Sequence, residues 1–131
     1  MNGKRDAKPT VYLVDDDPAV TKAVAQLIAL MGLRTESYGS AEEFLASYRG
    51  EGPGCILLDV RMPGKNGLEL QQELTAAGRA LPIIMITGHG DTRLAVRAMK
   101  QGAVDFLEKP FLPDELCDAV RRAIELSGAG K

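Results

Sequence analysis

Five short segments of the chain have the hydrophobic pattern of β-strands. Three of them, residues 10–14, 55–59 and 82–87, are almost continuously apolar, as expected for strands buried on both faces of a parallel sheet. Two others, residues 33–38 and 104–108, mix apolar and polar side chains. That mixture indicates strands at the two edges of the same sheet.

The segments between these strands repeat apolar residues at helical spacing. Asp17 is suited to capping the first helix, and Asp91 to capping the fourth. Ser40 predicts the start of the second helix, where Glu43, three residues later, would complete a capping box. Five helices are predicted, beginning near residues 18, 41, 67, 92 and 113.

Strands and helices alternate with short connections, which is typical of right-handed βαβ units around a parallel sheet. With the apolar strands in the centre and the mixed strands at the edges, the strand order is 2-1-3-4-5. The predicted fold class is therefore α/β, a flavodoxin-like, doubly wound (βα)5 arrangement. Such folds bind ligands where the strand order reverses, here between strands one and three.

Composition excludes several classes of function. The 131 residues carry a net charge of −2 and no Trp, so we expect no direct nucleic acid contact by this domain. No segment approaches the roughly 20 apolar residues of a membrane span, and the polar N-terminus lacks a signal-peptide core. We expect a cytoplasmic protein without membrane contact, with Cys55 and Cys117 as reduced thiols.

Polar side chains stand where four of the predicted strands end. Asp15 and Asp16 follow strand one, Asp59 ends strand three, Thr87 ends strand four and Lys109 follows strand five. Parallel strands place all of these on one edge of the sheet. Three carboxylates there repel one another unless a cation is present, and a hard divalent ion, Mg²⁺ for preference, suits oxygen ligands.

This set of groups predicts phosphoryl transfer to a carboxylate. Asp59 would be the nucleophile, and Lys109 and the metal would neutralise charge on the transferring group. Thr87 would donate a hydrogen bond. The sole histidine, His89, is expected to be a solvated loop residue, and Asp15 and Asp16 are expected to have no purely structural role.

Four motifs resemble the response-regulator receiver domain of two-component signalling, from about Thr10 to Leu126. They read Leu-Val-Asp-Asp at 13–16, Asp-Val-Arg-Met-Pro-Gly at 59–64, Ile-Thr-Gly-His-Gly-Asp at 86–91 and Gly-Ala-Val-Asp-Phe-Leu-Glu-Lys-Pro-Phe at 102–111. The resemblance is strongest to the FixJ type, with NtrC/DctD-type receivers as the near alternative.

The resemblance implies roles for the residues at the strand ends. Asp59 corresponds to the phosphoacceptor, Asp16 to a direct ligand of Mg²⁺ (or Mn²⁺) and Asp15 to a mostly water-mediated one. The backbone carbonyl of Arg61 would complete the protein ligands, together with Asp59 itself.

It also implies a conformational switch. Thr87 and Lys109 match the pair that holds the phosphoryl group, and Phe106 matches an aromatic switch position. In this family the peptide bond between Lys and Pro is commonly cis, so we expect a cis bond between Lys109 and Pro110.

The implied partners are a sensor histidine kinase and a second copy of the chain. The predicted fourth helix has an apolar arc of roughly 200°, wider than the ~100° of a core-facing stripe. The arc favours a partner surface on the side of Val96 and Met99. The resemblance implies homodimerisation on phosphorylation through this helix and strand five, with Val96, Met99 and Lys100 on the dimer face. The alternative is that small alanines only make the arc look wide.

The chain is expected to be a signalling phosphoacceptor that catalyses only its own phosphorylation and dephosphorylation, and to control transcription through a DNA-binding domain outside this chain. We expect a flexible tail over residues 1–9, a receiver domain over 10–126, and a tail or the start of a linker over 127–131. Two alternatives stay open: a Mg²⁺-dependent aspartyl phosphohydrolase of the haloacid-dehalogenase kind, and a receiver-like interaction module that is never phosphorylated.

Overall fold

The computed structural model describes residues 9–49, 53–78, 81–88 and 90–129. His89, residues 1–8 of the predicted N-terminal tail, residues 50–52 of the loop before the third strand and residues 130–131 lie outside the described residues. The elements run β1 Thr10–Val14, α1 Pro18–Leu30, β2 Arg34–Tyr38, α2 Ala41–Ser47, β3 Gly54–Asp59, α3 Gly67–Ala76, β4 Ile83–Thr87, α4 Thr92–Lys100, β5 Asp105–Glu108 and α5 Pro113–Ile124.

The five strands form one parallel sheet in the order β2-β1-β3-β4-β5. The predicted fold class and strand order are therefore confirmed. Every residue of β1, β3 and β4 is buried, whereas β2 and β5 contain partly buried and exposed positions, with Leu107 of β5 as their one buried residue. Continuous apolar sequence thus marks the central strands, because both of their faces are covered by helices.

Alternate side chains of the central strands enter two apolar layers. On one side, Tyr12, Ile56 and Met85 pack with residues of α2 and α3, among them Phe44 and Leu74. The other layer joins the opposite faces of the strands to α1 and α5 through Val11, Leu13, Leu57, Ile84, Val24, Ile28, Leu116 and Val120. A sheet clamped between these layers is a rigid support for whatever lies at the ends of its strands.

Helix α1 begins as predicted, with Asp17 Oδ1 accepting a hydrogen bond from Ala19 N at 3.0 Å. Ser40 also caps α2, but the predicted capping box is incomplete, because the Glu43 carboxylate accepts from Gly39 N and not from Ser40 N.

The predicted cap of α4 is confirmed in position but not in its hydrogen bond. Asp91 stands at the N-cap position, yet its side chain makes no capping hydrogen bond. Its carboxylate instead binds the guanidinium of Arg61, and a doubly hydrogen-bonded ion pair is a stronger partner than a backbone amide.

Helix α5 passes into a π-helical turn, Glu125–Ala129. Within it, Ser127 Oγ donates to Ile124 O at 2.6 Å and accepts from Gly54 N at 3.2 Å. Thus Ser127 ties this turn to the amino end of the central strand β3.

Candidate functional site

The register of the sheet brings the polar strand ends together. Val14 pairs with Leu58, so Asp15 follows β1 beside Asp59 at the end of β3. Thr87 pairs with Glu108, and Lys109 N donates to Thr87 O at 2.8 Å. Four elements therefore deliver their carboxyl ends to one edge of the sheet, at the switch point between β1 and β3.

Asp59 is a carboxylate in a buried setting, with 6% of its surface exposed. Its Oδ1 accepts a hydrogen bond from Arg61 N at 3.0 Å, and its Oδ2 lies 3.4 Å from Lys109 Nζ. Burial, with the charge of Asp15, raises the pKa of Asp59 to about 6, and the bonds from Arg61 N and Lys109 only partly offset this. Ionised Asp59 is thus short of compensating positive charge.

Asp15 is also buried, and it has a structural contact that its sequence position did not reveal. Its Oδ1 accepts from Asp17 N at 2.8 Å and so fixes the turn that leads into α1. The expectation that Asp15 has no structural role is therefore wrong. Its Oδ2 lies 3.2 Å from Lys109 Nζ, within ion-pair distance, but lacks an aligned hydrogen-bond donor.

One ligand oxygen from each of Asp15, Asp16 and Asp59 lies within 4.8 Å of the other two. Two of these carboxylates are buried and Asp16 is exposed, so the cluster is open to solvent on one side. The ammonium of Lys109 lies within ion-pair distance of Asp15 and Asp59, and a buried oxygen of Asp15 is left without an aligned donor. This donor set fits a hard divalent cation such as Mg²⁺. Whether the carbonyl of Arg61 is a further ligand stays a prediction.

Lys109 lies between the two buried carboxylates. Partial burial lowers its pKa, but the charges of Asp15 and Asp59 and the hydrogen bond to Asp59 outweigh that effect, so the net pKa is above its ordinary value. The ammonium is therefore charged at neutral pH. The peptide bond from Lys109 to Pro110 is cis.

The two residues assigned to a switch are associated with the edge strand β5 in this conformation. Thr87 is buried, and its hydroxyl donates a long hydrogen bond of 3.4 Å to Leu107 O in β5. Phe106 is 43% exposed on the edge strand β5. Their predicted switch roles need a second conformation and stay predictions.

The structure adds an ion pair that sequence reasoning missed. Arg61 Nε and Nη2 donate to Asp91 Oδ2 and Oδ1, both at 2.9 Å, and Asp91 Oδ2 also accepts from Gly88 N at 3.2 Å. This pair links the loop after β3 to the start of α4. No local pattern could have found it, because the two residues are 30 positions apart and each has an ordinary local role.

The outer face of α4 is apolar where the sequence predicted a partner surface. Val96 is 47% exposed and Met99 39%, whereas Ala95 and Ala98 are buried against the core. Lys100 is exposed at the end of the same helix. The surface is available for a partner, but dimerisation through it stays a prediction. Within the described residues, no helix is long and apolar enough to cross a membrane.

Comparison with known proteins gives a consistent family. Residues 11–121 match the response regulator receiver domain family. The response regulator protein TodT of Pseudomonas putida is 45% identical over 122 residues, which cover 93% of this chain and 54% of TodT. The C4-dicarboxylate transport transcriptional regulatory protein DctD of Pseudomonas aeruginosa is 46% identical over 121 residues, covering 92% of this chain and 26% of DctD.

Among solved structures, full-length FixJ from B. japonicum superposes with a TM-score of 0.87 at 41% identity, covering 95% of this chain and 61% of that chain. FixJ-type and DctD-type proteins are both among the similar ones, as the motifs predicted. The chain spans about half the length of TodT and a quarter of DctD. With its motifs, its strand order and these matches in agreement, the chain belongs to the response regulator receiver domain family.

Proposed function

We propose that Asp59 accepts a phosphoryl group from the phosphohistidine of a sensor histidine kinase, in a reaction that depends on Mg²⁺ or Mn²⁺. The observation that carries the proposal is the setting of Asp59, a buried carboxylate beside a second buried carboxylate, Asp15, with the ammonium of Lys109 within ion-pair distance of both. Such a group is costly to ionise and is relieved when it is esterified or meets a cation.

In this mechanism an oxygen of Asp59 attacks the phosphorus atom while the phosphorus–nitrogen bond of the donor breaks. The imidazole leaves with the electron pair and takes up a proton, and Asp59 becomes an acyl phosphate. Water later attacks the same phosphorus, which returns the carboxylate and releases inorganic phosphate. In this proposal the reaction involves only the carboxylate of Asp59, the phosphodonor and water, so we infer a signalling phosphoacceptor and not a separate enzyme.

Each neighbouring residue has a task in this proposal. Lys109 Nζ, 3.4 Å from Asp59 Oδ2, would neutralise the phosphoryl oxygens. Asp15, Asp16, Asp59 and the Arg61 carbonyl would hold the metal ion, which supplies charge neutralisation for the transferring group. The hydroxyl of Thr87 would leave Leu107 O for a phosphoryl oxygen.

The test of phosphoryl transfer uses a small phosphodonor and intact-protein mass measurement. With acetyl phosphate and Mg²⁺, the wild-type protein should gain the mass of one phosphoryl group, and it should gain nothing when the metal is chelated. Asp59→Asn should stay unlabelled. The matched control is Asp118→Asn, which removes an exposed carboxylate on α5 and should label normally. Label retained by Asp59→Asn would place the acceptor elsewhere.

We further propose that phosphorylation favours a homodimer through α4 and β5, with Phe106 moving inward as Thr87 moves toward the phosphoryl group. Light scattering with beryllofluoride should then show a doubled mass for the wild type. Met99→Arg should stay monomeric, because it places a charge on the exposed apolar face. Leu30→Arg changes an exposed leucine on α1 and should still dimerise. An unchanged wild-type mass would refute the dimer.

The output is proposed from the relatives. TodT is a response regulator protein, and DctD is a transcriptional regulatory protein. We infer that this domain controls transcription through a DNA-binding effector domain, without touching nucleic acid itself. The hydrolase alternative loses support because Asp17, the second carboxylate that it requires, is exposed and caps α1.

A further inference from the structure

We propose that the Arg61–Asp91 ion pair is a two-state connection between the acceptor and helix α4: when Asp59 is phosphorylated, Arg61 turns to the phosphoryl oxygens and Asp91 is released to cap α4. The inference rests on the proposed phosphorylation of Asp59. It adds a positioning residue, Asp91, and a route from the site to the α4 surface.

The first observation is the geometry of the pair. Two parallel hydrogen bonds of 2.9 Å hold the guanidinium of Arg61 against both carboxylate oxygens of Asp91. The Arg61 side chain is nevertheless 70% exposed, whereas that of Asp91 is only 11% exposed, and among the described residues the guanidinium is hydrogen-bonded to this carboxylate alone. An exposed guanidinium with one partner can exchange that partner for a stronger one.

The second observation is that α4 begins without a cap. Asp91 occupies the N-cap position, but neither of its oxygens accepts from an amide in the first turn of α4. That turn contains no acidic residue and includes Arg93, whose charge is unfavourable at the positive end of a helix. The residue type best suited to stabilise this helix start is present and engaged elsewhere.

The third observation places Arg61 beside the acceptor. Its own backbone N–H donates to Asp59 Oδ1 at 3.0 Å, so its side chain starts next to the atom that would carry the phosphoryl group. A phosphoryl group bears up to two negative charges and three acceptor oxygens, and it binds guanidinium more strongly than a carboxylate does. Phosphorylation would therefore draw Arg61 away from Asp91.

Release of Asp91 from Arg61 would also change a second hydrogen bond of the Asp91 carboxylate. Asp91 Oδ2 also accepts from Gly88 N, directly after Thr87. When Asp91 turns to the amides of Arg93 and Leu94, that bond is lost, and the backbone next to Thr87 keeps only one of the two hydrogen bonds that join Gly88 to Asp91. The helix that carries Val96 and Met99 would then be stabilised at its start only in the phosphorylated state, which is a population shift.

Amide exchange by NMR tests the connection, with beryllofluoride and Mg²⁺ as a stable substitute for the phosphoryl group. In the wild type, exchange at the Arg93 or Leu94 amide should slow about fivefold on activation, the factor that a side-chain cap of ordinary strength contributes. Arg61→Gln keeps the backbone bond to Asp59 but frees Asp91. In this variant the Arg93 or Leu94 amide should already be protected from exchange before activation, and activation should not slow its exchange further.

Asp91→Ala should show no protection in either state, and Asp91→Ser, which caps but pairs weakly with Arg61, should be protected in both. The control is Asp118→Ala, which breaks the exposed pair of Asp118 with Arg121 on α5. Amide exchange in this variant should slow on activation as it does in the wild type. Labelling by acetyl phosphate, measured separately by mass, tests the proposed function itself. If the wild type is labelled by acetyl phosphate while its Arg93 and Leu94 amides stay unprotected, the connection is refuted and the phosphoacceptor role stands. The connection is also refuted if amide exchange in resting Arg61→Gln is as fast as in the resting wild type.

Discussion

Asp59→Asn should make the metal-free protein more stable at neutral pH, even though it removes the group on which the proposed function depends. The wild-type carboxylate is buried beside Asp15, and its pKa is raised to about 6. The folded state therefore prefers the neutral acid. Asparagine has the shape of that acid without its charge and can still accept the hydrogen bond from Arg61 N.

The size of the effect follows from the pKa in the two states. The ordinary value is 3.8 and the folded value about 6, which corresponds to a cost of about 3 kcal/mol above both values. Well below pH 3.8 the carboxyl is protonated in both states, so the cost disappears. It grows as the pH rises toward 6 and is complete above that. The variant loses the 3.4 Å contact with Lys109, so we expect a gain of about 1–3 kcal/mol at pH 7.5 and about 0.5 kcal/mol at pH 4.

Urea unfolding in the presence of a chelator measures this gain. The wild type, Asp59→Asn and Asp118→Asn should be compared at pH 7.5 and pH 4. Asp118 is exposed and paired only at the surface, so its variant should stay within about 0.5 kcal/mol of the wild type at both values. Adding Mg²⁺ at pH 7.5 should stabilise the wild type more than Asp59→Asn, because the ion binds the folded carboxylate cluster.

Two results would contradict this reasoning. If Asp59→Asn is no more stable than the wild type at pH 7.5, the buried carboxylate is not under electrostatic strain. If the gain is the same at both pH values, it comes from packing or hydrogen bonding and not from the charge.

Further predictions concern residues around the site and in the core. Cys117 is partly exposed and should react with iodoacetamide in the native state, whereas Cys55 is buried and its pKa is raised to about 12. Peptide mapping should find Cys55 modified only after urea unfolding. Rapid labelling of Cys55 in the native state would refute its burial. Gly67→Ala should destabilise the protein by roughly 1–3 kcal/mol in urea unfolding, because a Cβ there would lie 2.4 Å from Asp59 O. Gly39→Ala, where the nearest atom is 3.8 Å away, should be close to neutral, and equal effects of the two alanines would show that the close approach does not matter. Asp15→Asn should weaken Mg²⁺ binding at least tenfold in calorimetry, since the cluster loses a buried carboxylate; unchanged affinity would remove Asp15 from the metal site.

The cost of ionising the buried carboxylate of Asp59 also bears on function. A carboxylate that is costly to ionise in the free protein gains from any partner that neutralises it, whether a cation or a phosphoryl group held by Lys109. The same burial that reduces the stability of the resting fold therefore favours the modified state. The buried carboxylate thus destabilises the resting fold while it favours phosphorylation. The two apolar layers on either side of the sheet stabilise the fold.

The sequence by itself determined the architecture. Continuous apolar runs identified β1, β3 and β4 as central, mixed runs identified β2 and β5 as edges, and the alternation with helices left one natural order. The convergence of Asp15, Asp59, Thr87 and Lys109 followed from the same argument, since the ends of parallel strands share an edge. These inferences succeed because they depend on the pattern within each segment and on a general rule of chain connection.

Only the tertiary structure decided how each polar group is used. Asp91 looks like a helix cap from its neighbours in the chain, yet it binds Arg61, 30 positions away. Asp15 looks free of structural duty, yet it fixes the turn before α1. The raised pKa of Asp59 likewise depends on burial and on the charge of Asp15 after β1, which Lys109 after β5 only partly offsets. Local sequence predicts which conformations and caps are possible, but hydrogen-bond partners and electrostatic environments depend on which loops meet in space, and that is a property of the assembled fold.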